Sequence, residues 1–175
     1  MRPNVLDNIF APVTSLAGVG PRFGKLIEDF LGPKQVDLLF HLPTGVIDRR
    51  FQPTVRDAPE GRIATLTVTV EKHFSSDHPK RPYRVRCRDA TGFLHLVYFH
   101  VKGDYLTRLL PVGSTRIVSG KIEKFNNETR INHPDYIAAP DARESVPAIE
   151  PIYGLTGGLP LRILQKAVAA VLAKT

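Results

Sequence analysis

The sequence of 175 residues is poor in cysteine, with Cys87 as its one thiol, and it contains no tryptophan. A single cysteine excludes an internal disulfide framework and favours a reducing compartment. No uninterrupted apolar stretch reaches the roughly 20 residues of a membrane-spanning helix. The N-terminus also lacks the order of charged, apolar and small residues that marks a signal peptide. We therefore expect a soluble, cytoplasmic protein with no membrane partner.

Catalytic motifs are missing as well. A phosphate-cradling loop needs its glycines, lysine and hydroxyl residue at fixed spacing, whereas Gly24-Lys25 and Gly120-Lys121 are each followed by an aliphatic residue. The six histidines show no spacing with cysteine or carboxylates that would form a zinc site. No serine or cysteine lies in a nucleophile motif. The sequence predicts no catalytic, cofactor-binding or metal site in this chain.

The charge that is present is positive and unevenly distributed. Lysine and arginine outnumber aspartate and glutamate by 24 to 17, a formal net charge of +7, which by itself decides little. Between Lys72 and Arg88 the chain has one acid, Asp77, and six basic residues: Lys72, Lys80, Arg81, Arg84, Arg86 and Arg88. This concentration favours a polyanionic partner.

The first part of the chain, from Val13 to Pro43, has a helical pattern. Pro21 suits a first helical position after a tight turn that begins at Gly18, and Gly32-Pro33 ends the apolar helical spacing. A second short helix is predicted over 36–41. The turn resembles the hairpin of helix-hairpin-helix modules. Whether it holds a phosphate or is purely structural, and whether residues 13–43 touch DNA, stays open.

The middle of the chain, from about residue 62 to 138, alternates apolar and polar residues as β-strands do. Strands are predicted over 64–70, 83–88, 93–100, 115–125 and 129–137, with a short helix over 102–110. The second strand places Tyr83, Val85 and Cys87 on one face and three arginines on the other. The element order is that of the five-stranded OB-fold barrel, although an SH3-like barrel with a shorter helix shares it.

These patterns predict a mainly β fold with flanking helices, in which a helical, helix-hairpin-helix-like segment (residues 1–50) precedes an OB-fold barrel (residues 51–139). Residues 140–175 form a proline-spaced linker and the start of an amphipathic helix from Pro160. This helix has no stop signal by Thr175. We therefore expect the chain to continue in its parent protein and the apolar helix face to await a downstream domain.

The OB-fold binds nucleic acids on its second and third strands and on the loops that join strands one to two and four to five. Cations there would neutralise phosphates, and the predicted phosphate-binding residues are Lys80, Arg81, Arg84, Arg86, Arg88, Lys121 and Lys124. Tyr98 and Phe99 are candidates for base stacking. Because they lie on opposite faces of one strand, at least one should be in the core. His100, Asn126 and Asn127 are further DNA-contact candidates, and a merely solvated basic face is the alternative.

Several motifs, in their order along the chain, resemble the RecG family of bacterial ATP-dependent DNA helicases. The likeness covers nearly the whole chain. It includes the segments 16–21, 38–43, 48–49, 98–100, 119–121, 133–136, 151–156 and 158–159. Each motif is weak alone, but the ordered set is specific. The sequence is therefore identified as similar to the N-terminal wedge-domain region of that family.

The resemblance implies an OB-fold wedge that binds branched DNA, such as replication forks and Holliday junctions, in recombination and repair. Branched and single-stranded DNA are the implied partners, together with downstream helicase domains of the same parent chain. Those absent motor domains would bind ATP and magnesium, so this chain, expected to be a monomer, should not hydrolyse ATP. The family's stacking aromatics correspond to Tyr98 and Phe99. His100 and Val101 depart from the family's Phe-Phe-Asn-Phe-like run.

Two other functions remain open at this point. An RNA-binding OB module, as in the anticodon-binding domains of tRNA-binding proteins, would prefer single-stranded RNA loops. A protein-interaction barrel would instead use the apolar face of the C-terminal helix.

Overall fold

The computed structural model describes residues 4–75, 81–101 and 103–175 of the chain. The chain forms two compact units, which we call the barrel unit (Asp48–Glu150) and the helical unit (Met1–Ile47 with Pro151–Thr175). The last stretch of sequence therefore folds with the first and is not a separate linker block. None of the helices within the described ranges is long and apolar enough to cross a membrane.

The described residues form nine strands, three α-helices and four short 3-10 helices. The strands are β1 (Gly45–Asp48), β2 (Ile63–Phe74), β3 (Tyr83–Arg88), β4 (Phe93–Tyr98), β5 (Thr115–Lys121), β6 (Glu123–Phe125), β7 (Glu128–Asn132), β8 (Tyr136–Ala138) and β9 (Ile149–Ile152). The α-helices are α1 (Gly20–Leu31), α2 (Gly103–Leu109) and α3 (Leu161–Leu172). The 3-10 helices are Asn4–Phe10, Val13–Ser15, Gln35–Phe40 and Pro140–Ser145.

The barrel unit has the strand pairing of an OB-fold. β2 lies antiparallel between β3 and β5, β3 pairs antiparallel with β4, and β4 pairs in parallel with β7. The strand formed by β5 and β6 bends at Ile122, so that its first part pairs with β2 and its second part pairs with β7. This bend lets one strand close the sheet on itself. The predicted mainly β fold with a five-stranded OB-type barrel is confirmed.

The core of the barrel unit follows the period of two that the sequence shows. In β2 the residues Ala64, Leu66, Val68 and Val70 are all buried in one apolar cluster, which also receives side chains from β3, β4, α2 and β7. Gly120 is needed where β5 closes the barrel. A Cβ atom there would lie 2.6 Å from Cγ2 of Ile131, closer than packed atoms tolerate.

A buried ion-pair network lies on the outer side of β5. The Arg49 guanidinium donates from Nη2 and Nε to Oε2 of Glu150 at 2.6 and 3.0 Å, and from Nη1 to Oδ2 of Asp135 at 3.1 Å. Nη1 also donates to the Ser119 hydroxyl at 3.2 Å. Arg49 and Glu150 are both nearly inaccessible, so each charge depends on the other for its stabilisation.

The helical unit packs its helices on a second apolar core. Leu164, Ala167, Val168 and Val171 of α3 are buried there, with residues of α1 and of the 3-10 helices. The expectation that this face is exposed and awaits a downstream domain is therefore wrong. A protein-interaction barrel that uses this face loses its basis, because the apolar stripe is already covered within the helical unit.

The end of α1 requires a glycine. Gly32 has a φ of 136°, and a Cβ atom there would collide with the Asp37 carboxylate. That carboxylate accepts a hydrogen bond from the Lys34 backbone N–H at 2.8 Å and caps the 3-10 helix Gln35–Phe40. The predicted stop at Gly32-Pro33 thus has a steric cause.

The two-stranded sheet of β1 and β9 was not expected from the sequence. Pro151 lies inside β9, and a proline is tolerated there because both strands of a two-stranded sheet are edge strands. The spacing of prolines over residues 140–151 predicts a linker, but this prediction is wrong. The stretch contains the 3-10 helix Pro140–Ser145 and the first part of β9.

Candidate nucleic-acid interface

The three arginines of β3 share the outer face of the barrel. Val85 and Cys87 are fully buried, so the alternation of the strand directs Arg84, Arg86 and Arg88 outward. This face is the second strand of the OB-fold, where the sequence predicted phosphate contacts.

One carboxylate lies among these cations. The pairing of β2 with β3 shifts register between Val70 and Lys72, so Glu71 is the extra residue of a β-bulge. Its carboxylate lies 2.5 Å from Nε of Arg86 and 3.8 Å from Nε of Arg88. The first contact is an ion pair whose atoms lack the alignment of a hydrogen bond. Glu71 offsets part of the positive charge and orients Arg86.

Phenylalanine rings stand between the arginines. The Arg86 guanidinium carbon lies 5.7 Å from the ring centroid of Phe74 and 5.1 Å from that of Phe93, and the Arg84 guanidinium carbon lies 5.6 Å from Phe74. On the neighbouring hairpin, the Arg130 guanidinium lies 4.2 Å from the centroid of Phe125. Such cation–π contacts hold a ring and a cation side by side at the surface.

An open groove of about 580 Å³ runs over this face. Of its lining residues, Arg86, Lys124 and Asn127 were predicted as DNA contacts. Sequence reasoning missed the others that can contact a ligand through a charged, aromatic or imidazole group. These are Arg56, Phe93, His95 and Glu128. The groove thus combines cations, one carboxylate, an imidazole and an exposed ring.

His95 lines the groove and is surrounded by cations. Burial is the main cause that lowers the pKa of His95, and the positive charges of Arg84, Arg86 and Arg130 lower it further. The Glu128 carboxylate, 3.8 Å from Nδ1, acts in the opposite direction. Within the described ranges, Nδ1 of His95 and Nε of Arg130 are buried without a hydrogen-bond partner.

The hairpin between β6 and β7 forms one wall of this region. Asn126 and Asn127 have φ values of 49° and 64°, which is the backbone of a two-residue type I′ turn. Both asparagines are exposed, and their residue type is explained by the turn. Asn127 lines the groove, whereas Asn126 does not.

The two aromatics predicted to stack on bases have different environments. Tyr98 is 7% exposed, points into the barrel core with Leu94 and Leu96, and burial raises the pKa of its hydroxyl. A ring with no accessible face cannot receive a base, so Tyr98 is a core residue and not a stacking residue. Phe99 is 44% exposed and keeps a free ring surface.

Phe99 is positioned by His133 at the end of β4. The Phe99 backbone N–H donates to Nε2 of His133 at 3.1 Å, and the two ring centroids lie 5.6 Å apart. His133 and His100 have positive φ values of 45° and 58°, an uncommon backbone for residues other than glycine. His100 is exposed beside Phe99. The sequence indicated no role for His133 beyond ending a strand.

The remaining predicted cations are dispersed. Arg81 is exposed just before β3. Lys80 lies outside the described residues. Lys121 pairs across the strands with Ile63 and is not among the residues that line the groove.

The alternation of β4 predicts two of the missed residues, Phe93 and His95. In β4, Leu94, Leu96 and Tyr98 face inward, so Phe93 and His95 must face outward beside the arginines of β3. The sequence signal for these two residues is the same alternation that directs Arg84, Arg86 and Arg88 outward on β3.

Comparison with known proteins gives a consistent result. No protein-family model matches the chain. The ATP-dependent DNA helicase RecG of Pasteurella multocida is 31% identical over 175 residues, which cover 93% of this chain and 24% of the relative. RecG of Haemophilus influenzae is 29% identical over 179 residues, which cover 99% of this chain and 25% of the relative. The chain thus spans about a quarter of the length of these curated relatives.

A solved structure supports the fold assignment. The structure of RecG bound to a three-way DNA junction matches 91% of this chain and 22% of that chain, with a TM-score of 0.76 at 22% identity. At this level of identity the match shows a shared fold.

Proposed function

We propose, from the similarity of this chain to the N-terminal wedge-domain region of RecG DNA helicases, that it binds branched DNA. It would serve as the non-catalytic DNA-recognition part of a RecG-like helicase that acts in recombination and repair at replication forks and Holliday junctions. Motor domains elsewhere in the parent protein would bind ATP and magnesium and hydrolyse the nucleotide.

The observation that carries this proposal is the outward alignment of Arg84, Arg86 and Arg88 on β3, with Glu71 as the one carboxylate in contact with them among the described residues. Guanidinium groups in a row neutralise backbone phosphates and release their counterions. This contact does not depend on base sequence, as expected for a protein that recognises a branch by its shape.

Phe99 would act at the branch point itself. Its exposed ring is held by the His133 contact at the end of a rigid strand, so little conformational freedom is lost when a base stacks on it. Stacking of one base contributes on the order of 1–3 kcal/mol and would offset part of the cost of unpairing a base at the branch.

A competition assay tests the proposal directly. We expect a three-arm junction to compete for the chain better than a duplex of equal length, and better than RNA of the same sequence. Phe99→Ala should weaken junction binding by about fivefold or more while the dependence on salt keeps its slope, because a ring contact releases no counterions.

Phe40→Ala is the matched control. Phe40 is 80% exposed and belongs to the helical unit, so Phe40→Ala removes the same type of side chain from outside the barrel unit. Equal affinity for junction and duplex would contradict branch recognition. A clear preference for RNA would favour the RNA-binding OB module instead.

A further inference from the structure

We propose that the groove over β3, β4 and the β6–β7 hairpin is a single-strand-binding site, and that Phe93 in its lining and Phe125, the cross-strand partner of the lining residue Glu128, stack on unpaired bases of DNA. This inference rests on the proposed DNA-binding function and extends it to a second site, separate from Phe99. Neither ring was among the base-stacking residues expected from the sequence.

The exposure of the two rings is the first argument. Phe93 and Phe125 are 51% and 54% exposed although they belong to strands of a well-packed barrel. Each ring has a guanidinium beside it, Arg86 at 5.1 Å from Phe93 and Arg130 at 4.2 Å from Phe125. A ring fixed in this way by a cation on a rigid strand presents a ready stacking surface beside a phosphate-binding group.

The spacing of the rings is the second argument, and it favours a single strand. Phe93 lies on β4 and Phe125 lies on β6, with β7 between them. Two strand spacings separate the rings' backbones by about 10 Å. Bases in a duplex are stacked about 3.4 Å apart and cover each other's faces. Rings that are about 10 Å apart can therefore stack only on bases that have left the duplex stack.

The polar lining is the third argument. Arg86, Lys124 and Arg56 line the groove and can contact phosphates, while Asn127 can bond to base edges. Proteins that bind single strands without sequence preference combine a positively charged groove for the phosphates with aromatic side chains on which the bases stack.

The groove is distinct from the branch-point contact. Phe93 begins β4 and Phe99 follows its end, so the backbones of the two residues are about 20 Å apart along the strand. A single-stranded arm of a fork could therefore occupy the groove while Phe99 contacts the branch.

Binding of a labelled oligothymidylate of about 12 nucleotides tests the groove, a length within the range that one OB-fold covers. The 175-residue chain is compared with the double variant Phe93→Ala/Phe125→Ala. We expect the double variant to bind at least about tenfold more weakly with an unchanged salt slope. Phe93→Tyr/Phe125→Tyr keeps both rings and should retain the affinity. Phe40→Ala should have no effect, and Phe99→Ala should affect the junction but not the oligonucleotide.

A spectroscopic readout separates stacking from other causes of lost affinity. Because the chain has no tryptophan, Phe93→Trp introduces its one indole. We expect oligothymidylate to quench the fluorescence of this indole, whereas an indole introduced by Phe40→Trp should not respond.

The outcomes separate this inference from the proposed function. Unchanged oligothymidylate affinity in the double alanine variant, with the junction still preferred over duplex, overturns the groove but leaves branch recognition intact. Loss of oligothymidylate binding without a junction preference supports the groove and overturns branch recognition. Tighter binding of an RNA of the same length, by about tenfold or more, overturns the assignment to DNA.

Discussion

The barrel unit and the helical unit have nearly the same net charge, but strand β3 of the barrel unit and helix α1 of the helical unit arrange their charges in opposite ways. The barrel unit has 17 basic and 13 acidic residues, a net charge of +4, and the helical unit has seven and four, a net charge of +3. On helix α1, Lys25 pairs with Asp29 at 2.9 Å and with Glu28 at 3.8 Å. On strand β3 three arginines share one face and contact a single carboxylate, Glu71.

This difference indicates that a polyanion-binding surface depends on the spacing at which side chains recur on one face of a helix or strand. Net charge alone does not produce such a surface. Helical spacing brings residues three and four apart together, so charges of opposite sign in one turn neutralise each other. Strand spacing aligns every second residue, so a run such as Arg84, Arg86 and Arg88 forms a row of like charges. The following predictions test this comparison, from the largest expected effect to the smallest.

Removal of the buried arginine of the barrel unit should have the largest effect. Arg49→Ala leaves the Glu150 carboxylate buried without its main cation, so we expect the free energy of unfolding to fall by about 3–5 kcal/mol. Urea unfolding followed by circular dichroism measures the change.

Arg50→Ala is the control for this network. Arg50 is exposed and pairs with Asp48 at the surface, so its removal should change stability little. Similar losses from both substitutions would contradict a special role for the buried network.

A cavity in the helical unit should have the next largest effect. Leu164 is fully buried in α3, so Leu164→Ala should destabilise the helical unit by about 3 kcal/mol. Leu172→Ala on the same helix removes an exposed side chain and should have little effect.

Cys87 reports on the barrel unit alone during these experiments. It is fully buried, and burial raises the pKa of its thiol to about 12, so labelling by a thiol reagent requires opening of the barrel. We expect Arg49→Ala to accelerate labelling and Leu164→Ala to leave it unchanged. Equal acceleration by both would show that the two units unfold together.

Neutralisation of two outward-facing arginines of β3 should have a moderate effect on binding. Arg84→Gln/Arg88→Gln retains the Arg86–Glu71 ion pair and should weaken junction binding about tenfold at low salt, with the salt slope reduced by about two. Arg22→Gln/Lys166→Gln removes the same charge from exposed positions of the helical unit. An equal loss in this control would mean that net charge alone governs binding.

The smallest effect should come from His95. Its pKa is lowered in the folded state, mainly by burial, so the unfolded chain binds the proton more tightly. The stability contribution is complete above the ordinary histidine pKa of 6.5 and is lost as the pH falls through the lower pKa of the folded state. His95→Gln should therefore reduce the loss of urea stability between about pH 7.5 and about pH 5.5. The exposed His100→Gln serves as the control, and an unchanged pH dependence in His95→Gln would contradict this assignment.

Local patterns predicted most of the barrel because strand alternation and turn residues act over a few positions. The strand Tyr83–Arg88 and the turn at Asn126-Asn127 lie where the sequence indicated them. The predicted strand over 129–137 was too long, because the backbone leaves the strand conformation at His133, which has a positive φ. Of the predicted stacking pair, the alternation of β4 leaves Phe99 outside and places Tyr98 in the core.

The sequence by itself determined the spacing of apolar and polar residues along each helix and strand. This spacing decides which side chains of a strand face the core and which face outward. Only the tertiary structure decided which outward faces meet. Closure of the barrel brings Phe93, Arg86 and Lys124, from three separate strands, around one groove. Folding of α3 into the helical unit likewise covers an apolar face that looks free in the sequence. The reason is physical, because periodicity is set by neighbours along the chain, whereas a binding surface depends on contacts between residues far apart in it.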